Sequence, residues 1–247
     1  DFSAGNDAVE MYAIEGKPRG QFYTYLPSYN EAGQMIVDEN GYPVIDKSAT
    51  KDTGKNMNFK WTGGINTSLS AYGFTLSAQL DVRYGGYMFS RTRNLMQFTG
   101  NSDVTTYNNR NPFVIPNSVV QLSDGSYVPN TTPIKVTDSS YQTYFNDYGA
   151  GLGGEFYLID RSYMKLRNVS LSYDCPRKWL QPLSLSGLSV GVFVNNVFTW
   201  TAKDNRFIDP ENTTVSQSSY GDLATQFGEL YSNPSCRTYG FNVNVKF

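Results

Sequence analysis

Histidine is missing altogether from the 247 residues. Its absence removes Ser-His-Asp and Cys-His nucleophile systems, His-ligated zinc and histidine acid–base catalysis in one step. Cysteine is nearly as scarce. Cys175 and Cys236 are too few for a disulfide scaffold and lack metal-ligand spacing. No apolar run approaches the roughly 18 residues of a transmembrane helix. Charge is also sparse, at 17% of residues and a net of -2, so there is no basic footprint for nucleic acid. The chain opens at Asp1 with neither an initiator Met nor a signal peptide, so we expect a processed chain or a piece of something longer.

Aromatic residues are what the chain has instead: 15% of it, with 19 Tyr and 15 Phe. They fall into a pattern at the closing stretch, 236–247. Tyr239, Phe241, Val243, Val245 and Phe247 lie on one side of a two-residue period, and Thr238, Gly240, Asn242, Asn244 and Lys246 on the other. Such alternation marks a β-strand with one apolar and one polar face. By itself it fits the last strand of a soluble sandwich, or a membrane barrel strand with lipid on one side and a wet lumen on the other.

Similar strands recur upstream. Residues 21–25 form a short aromatic candidate. Phe59, Trp61, Ile65 and Leu69 alternate with polar neighbours, and after Ala71-Tyr72-Gly73 the pattern resumes through Phe74, Leu76, Ala78, Leu80, Val82 and Tyr84. Asp81 and Arg83 lie on its polar face, and Gly85-Gly86 interrupts it, as at a bulge or a close approach. Strands return over 163–173 and 188–201. Between them, Asn30-Glu31-Ala32-Gly33 and Asp38-Glu39-Asn40-Gly41 signal turns. The second brushes against a calcium-loop pattern whose later ligand positions do not fit. Residues 91 to about 155 are rich in Asn, Ser, Thr, Gly and Pro, an unusually long connection for a compact domain.

Parity decides between sandwich and barrel. With the C-terminus in the periplasm, the strands alternate in direction so that 71–73 and 174–187 become periplasmic turns. Residues 27–57, 91–160 and 202–235 become extracellular loops. Short periplasmic turns and long external loops are the outer-membrane rule, which a sandwich has no reason to obey. The expected fold is therefore all-β, an antiparallel transmembrane β-barrel segment. The same walk puts Cys175 and Cys236 at opposite ends of an apolar band about 25 Å tall, beyond disulfide reach; two unpaired thiols are expected.

The residues carry a resemblance as well. Asp160-Arg161-Ser162-Tyr163-Met164-Lys165-Leu166-Arg167-Asn168-Val169-Ser170-Leu171-Ser172-Tyr173 resembles the "R-x-x-Y-x-[KR]-[LI]-[KR]-N-[VI]-[ST]-L-x-Y" segment of the SusC/RagA family of TonB-dependent transporters. Val194-Asn195-Asn196-Val197-Phe198-Thr199-Trp200-Thr201 is similar to its "N-[LV]-F-x-[FW]-T" strand, and Asp209-Pro210-Glu211 to its "D-P-E". Pro234 through Arg237, Tyr239 and Gly240 to Phe247 resembles its ending, and Glu15-Gly16-Lys17-Pro18-Arg19-Gly20 an upstream passage. Each motif is weak alone; their order and spacing are specific.

The resemblance implies a large plugged barrel of about 22 strands, of which about six are countable here, with the plug and the TonB-contacting segment absent from this sequence. It implies a C-terminal portion of an importer of glycans, oligosaccharides or peptides in the outer membrane of a Gram-negative, Bacteroidetes-like cell. It further implies a SusD-like surface lipoprotein and the TonB complex as partners, besides substrate and outer-membrane lipid, and no cofactor. A passive porin-like piece and a soluble carbohydrate-binding sandwich are the alternatives.

Site candidates follow from the loops. Asp209 and Glu211 are candidates for binding substrate, a cation or the capping lipoprotein, or for a turn with Pro210 at its corner. Trp200, Tyr220, Tyr231, Tyr144 and Tyr148 are candidates for stacking on sugar rings, and those near the membrane boundary for girdle residues at headgroup level. Phe247 resembles the terminal aromatic read by the barrel-assembly machinery, or is the last lipid-facing side chain. Nothing in the sequence brings two carboxylates together, and no enzyme activity or metal site is expected.

Overall fold

The computed structural model describes residues 3–6, 9–212, 228–229, 233 and 235–247. They form two compact units. One comprises Phe59–Gly86, Asp160–Glu211 and Asn233–Phe247; the other comprises Asp1–Asn58, Tyr87–Ile159 and Asn212–Ser232.

The first unit is a single antiparallel sheet. Its strands are β1 (Trp61–Ala71), β2 (Phe74–Tyr84), β3 (Tyr163–Asp174), β4 (Gly187–Thr201) and β5 (Thr238–Lys246). Each pairs with the next in chain order. A tilted membrane-spanning strand needs about 9–11 residues, and all five reach that length. Pairing in this order puts the connections 72–73 and 175–186 at one end of the sheet, and the long ones, 85–162 and 202–237, at the other. The tightest is the β1–β2 hairpin, where Tyr72 and Gly73 both take positive φ (55° and 85°). That suits a two-residue primed turn, whose twist matches the flanking strands.

Register assigns the faces. Leu80, Leu166 and Phe198 stand side by side across β2, β3 and β4, as do Leu76, Leu171 and Val192, continuing to Phe241 on β5. On this face Ile65 is 61% exposed, Leu69 67% and Phe241 80%. A sheet face this apolar, interrupted on β1 by Thr67, would be unstable in water as an isolated surface when left open to this degree. Each large side chain moved from water to hydrocarbon contributes roughly 1.5–3 kcal/mol. Aromatic pairs mark both ends of the face: Trp61 on Tyr84 and Phe198 beside Trp200 at one, Phe74 beside Tyr173 at the other.

The opposite face is hydroxyl- and amide-lined. Ser70 and Thr75 share a hydrogen bond across the hairpin, and Ser77 donates to Ser68. Asn168 donates to Asn195, which donates to Thr238, so one amide ladder runs from β3 to β5. Registers shift between Leu166 and Asn168 against both neighbours. Arg167 is an extra residue relative to β2, and the shift puts Met164 and Leu166 on the same face as Val169 and Leu171.

The wall thus has five strands among the described residues rather than six. The aromatic stretch expected at 21–25 is the strand Gln21–Thr24, which pairs in a separate four-stranded sheet with Ser3–Asn6, Val9–Tyr12 and Lys51–Asn56. The reason is local: Phe22 is fully buried between Val9, Met11 and Tyr157, so its side chain is committed to a core instead of a lipid face. At Gly85-Gly86 the wall strand ends, with φ 76° and 81°. A Cβ on Gly85 would stand 2.8 Å from the Lys60 side chain, so the break is a close approach.

The second unit contains most of the residues expected as the long loops 27–57 and 91–160, folded around two cores, while 202–211 belong to the wall unit. One gathers Val9, Met11, Phe22, Phe89, Phe156 and Leu158; the other gathers Val37, Phe113, Ile134, Tyr141, Tyr144 and Phe145. Its eight-residue helix α1 (Arg91–Phe98) is capped by the Ser90 hydroxyl, which accepts from the Arg93 N–H. The buried Glu229 carboxylate secures that cap, accepting from the Ser90 hydroxyl and from the Thr92 N–H and hydroxyl.

Candidate functional site

Two constellations stand out, one in each unit. In the wall unit, the bulge turns Arg167 onto the polar face beside Lys165. The segment after β4 folds back so that Asp209-Pro210-Glu211 meets both. Lys165 Nζ donates to Asp209 Oδ1 at 2.6 Å and to Glu211 Oε2 at 2.7 Å. Arg167 grips Glu211 with two N–H groups, at 2.7 and 2.6 Å, and also pairs with Asp81 on β2. The Tyr163 hydroxyl donates to Glu211 at 2.6 Å, and Arg83 stands 3.8 Å from the same carboxylate. The Arg161 Nε donates to the Pro210 carbonyl at 3.1 Å, its guanidinium stacked on the Phe59 ring.

The structure therefore gathers three carboxylates that sequence spacing does not bring together. Four basic side chains, Lys165, Arg167, Arg83 and the buried Arg161, surround them, so the cluster carries one positive charge in excess. Lys165 is 5% exposed overall and sits wholly inside the knot. Burial alone would raise the Glu211 carboxyl; the hydrogen bonds from Arg167, Lys165 and Tyr163 outweigh it and hold the group down at about 2. Asp209 is likewise lowered, burial being opposed by Lys165 and by the Glu211 N–H. With every carboxylate committed to a cation, none is poised as a general acid or base. The arrangement clamps the segment that follows β4 onto the wall.

The second constellation is a pocket of about 680 Å³ within the other unit, whose walls include Asp38, Lys47, Asn94, Asp147, Tyr148 and Tyr157. Asp38 organises the turn that shapes it, accepting from the Asn40 and Tyr42 N–H groups at 2.9 Å each. Tyr42 then stacks on Tyr148, with centroids 5.1 Å apart and planes within 7°. Tyr157 is buried, its hydroxyl held by the Asn146 carbonyl at 2.9 Å. Gly153, at φ 59°, lets the chain pass where a Cβ would stand 2.6 Å from the Tyr25 carbonyl.

The remaining candidates are dispersed. Tyr144 is buried, edge-on to Phe113 and Phe145, and its hydroxyl donates to the Ala150 carbonyl at 2.9 Å. Burial pushes its phenol up to about 12. Its ring faces are occupied by core residues and offer no stacking platform. Trp200 is on the apolar wall face beside Phe198, 4.4 Å between centroids. Phe247 is 94% exposed, and its backbone oxygen accepts from Ser186 at 3.1 Å. Cys175 and Cys236 are both free. Tyr220, Tyr231 and Pro234 lie outside the described residues. Lys165 and Arg167 were not singled out as site residues by the sequence, although their Lys-x-Arg spacing beside Tyr163 is the signal that marks them.

No family model matches the chain. Among curated proteins, it is similar to "TonB-dependent receptor P26" of Formosa agariphila, 30% identical over 88 residues, covering 35% of this chain and 9% of the receptor. "TonB-dependent receptor P3" of the same organism is 31% identical over 94 residues, covering 37% and 9%. Among solved structures, the RagAB peptide transporter matches 100% of this chain and 24% of its own, with TM-score 0.58 and 16% identity. The RagAB peptide importer in its "open-open" state matches 97% and 24%, with TM-score 0.57 and 17% identity. These structural likenesses are of fold. The chain spans about a quarter of the transporter chains it matches, and the aligned region about a tenth of the curated receptors. The chain is thus similar in fold to the RagAB transporter over its whole length, and in sequence to TonB-dependent receptors over about a third of it.

Proposed function

We propose that the chain forms part of the barrel wall and the external loops of an energised importer of glycans or peptides. The whole barrel has about 22 strands around a plug, works with a SusD-like surface lipoprotein, and draws energy through TonB from segments outside this chain. On this reading β1 and β5 continue into further strands, which removes both sheet edges, as a membrane requires. The turns 71–73 and 174–187 face the periplasm, and residues 27–57, 91–160 and 202–235 are extracellular loops. The Formosa agariphila relatives favour a Bacteroidetes-like source.

The observation that carries the reading is the five-strand wall with one apolar face and one polar face. Its long connections emerge at a single end. A passive channel and a soluble sandwich would both lack any dependence on TonB. The test is uptake of labelled oligosaccharides and short peptides by cells expressing the full protein, with and without an energised TonB complex and the neighbouring lipoprotein. Uptake of one class that stops when either is removed is expected. Uptake indifferent to TonB would overturn the energised reading in favour of a passive channel.

A further inference from the structure

We infer that the 680 Å³ pocket beside Tyr148 is a binding site for a positively charged head group, an alkylammonium or guanidinium. Its size falls within the range of small-ligand sites. Its chemistry has a sign: two carboxylates, Asp38 and Asp147, line it against one ammonium, Lys47, which is solvent-exposed.

The geometry supplies the rest. Tyr42 stacks flat on Tyr148 yet is not part of the pocket wall, so it backs the ring and fixes its plane while Tyr148 fronts the cavity. Asp38 hangs on the same turn as Tyr42, held by two backbone N–H groups that both bond its Oδ1. Asp147 uses Oδ1 for the Asn146 amide at 2.6 Å. Each carboxylate keeps its other oxygen clear of those bonds. Asp147 precedes Tyr148 in the chain, so both carboxylates flank one aromatic ring. Burial first, then the two carboxylates, push the Tyr148 phenol upward, as expected of a ring in a negative field. A cation placed there gains attraction to the ring face and charge-assisted hydrogen bonds to carboxylate.

This inference rests on the importer reading for the pocket's access to external ligand. Binding is measured on purified protein without uptake, so the two readings fail separately. The experiment titrates the full-length receptor in detergent with N-acetyl-arginine amide and with N-acetyl-citrulline amide, the same shape without the charge. The arginine probe is expected to bind, with the citrulline probe about tenfold weaker, the equivalent of one charge-assisted hydrogen bond. D147N and D38N should each weaken the arginine probe about as much. D38N keeps the oxygen that accepts from Asn40 and Tyr42, so its fold is preserved, and a heat-modifiability gel checks this. Equal binding of both probes, unchanged binding by a folded D38N/D147N double variant, or no binding of either probe would each overturn the inference.

Discussion

Arg167 holds Glu211 through two parallel N–H···O bonds across 44 residues of sequence. That fork joins the bulge in β3 to the segment that follows β4. It uses the planar geometry that distinguishes arginine from lysine. R167K keeps the charge but loses the fork, and Glu211 and Asp81 can no longer share one guanidinium. Amide exchange over 202–211 should rise, corresponding to a local loss of about 1–3 kcal/mol, while exchange in β1 stays unchanged. R167K exchange equal to wild type would show that the fork does not hold the segment.

The same clamp has a defined acid limit. Glu211 is held down at about 2, well below the ordinary glutamate range, and Asp209 is also lowered. A carboxyl depressed in the folded state contributes stability that is full above its unfolded pKa and disappears as pH falls through the folded one. Exchange over 205–211, once corrected for its intrinsic pH dependence, should be flat from pH 8 to about 5. It should then accelerate from about pH 4.5 toward 2. E211Q should exchange faster at neutral pH and lose most of that acid response.

Gly240 on β5 faces Phe193 on β4, and a Cβ there would overlap the Phe193 ring. G240A should therefore disturb β4–β5 pairing, costing about 1–3 kcal/mol as overpacking does, seen as a lower yield of heat-modifiable barrel. F193A in the same chain should restore the yield. No rescue by F193A would mean the glycine is required for some other reason.

Glu229 is buried and gives its carboxylate to the groups that start α1. Removing it takes the acceptor from the buried Ser90 hydroxyl. E229A should expose the segment around 91–98 to protease at concentrations that leave the wild type intact, a loss of roughly 2–4 kcal/mol. Unchanged cleavage would assign the cap to Ser90 alone.

The wall was legible because its two environments leave a two-residue period, unbroken in 238–246 and in 74–84. The bulge was less so. Met164 and Leu166 share parity, Val169, Leu171 and Tyr173 the opposite one, and that switch is the trace the extra Arg167 leaves in the sequence. The second unit defeated periodicity. One of its cores is assembled from Val37, Phe113, Ile134 and Tyr141, far apart in sequence and carried on a three-residue strand, an isolated bridge and a seven-residue helix, too short to establish a period. The ion knot was half visible: Asp209 and Glu211 drew attention as loop carboxylates, but their partners Lys165 and Arg167 read as ordinary polar strand positions until pairing brought them together. Tyr144 and Tyr148, alike in sequence, parted because one ring is packed in a core and the other fronts a cavity.

The most direct test of the account is site-directed spin labelling along β5 in the full-length protein reconstituted in liposomes, with Cys175 and Cys236 replaced by serine. Labels at 239, 241, 243 and 245 should collide with lipid-soluble oxygen, and labels at 240, 242 and 244 with a water-soluble nickel chelate, alternating residue by residue. Water-type accessibility at both sets would contradict a lipid-facing wall.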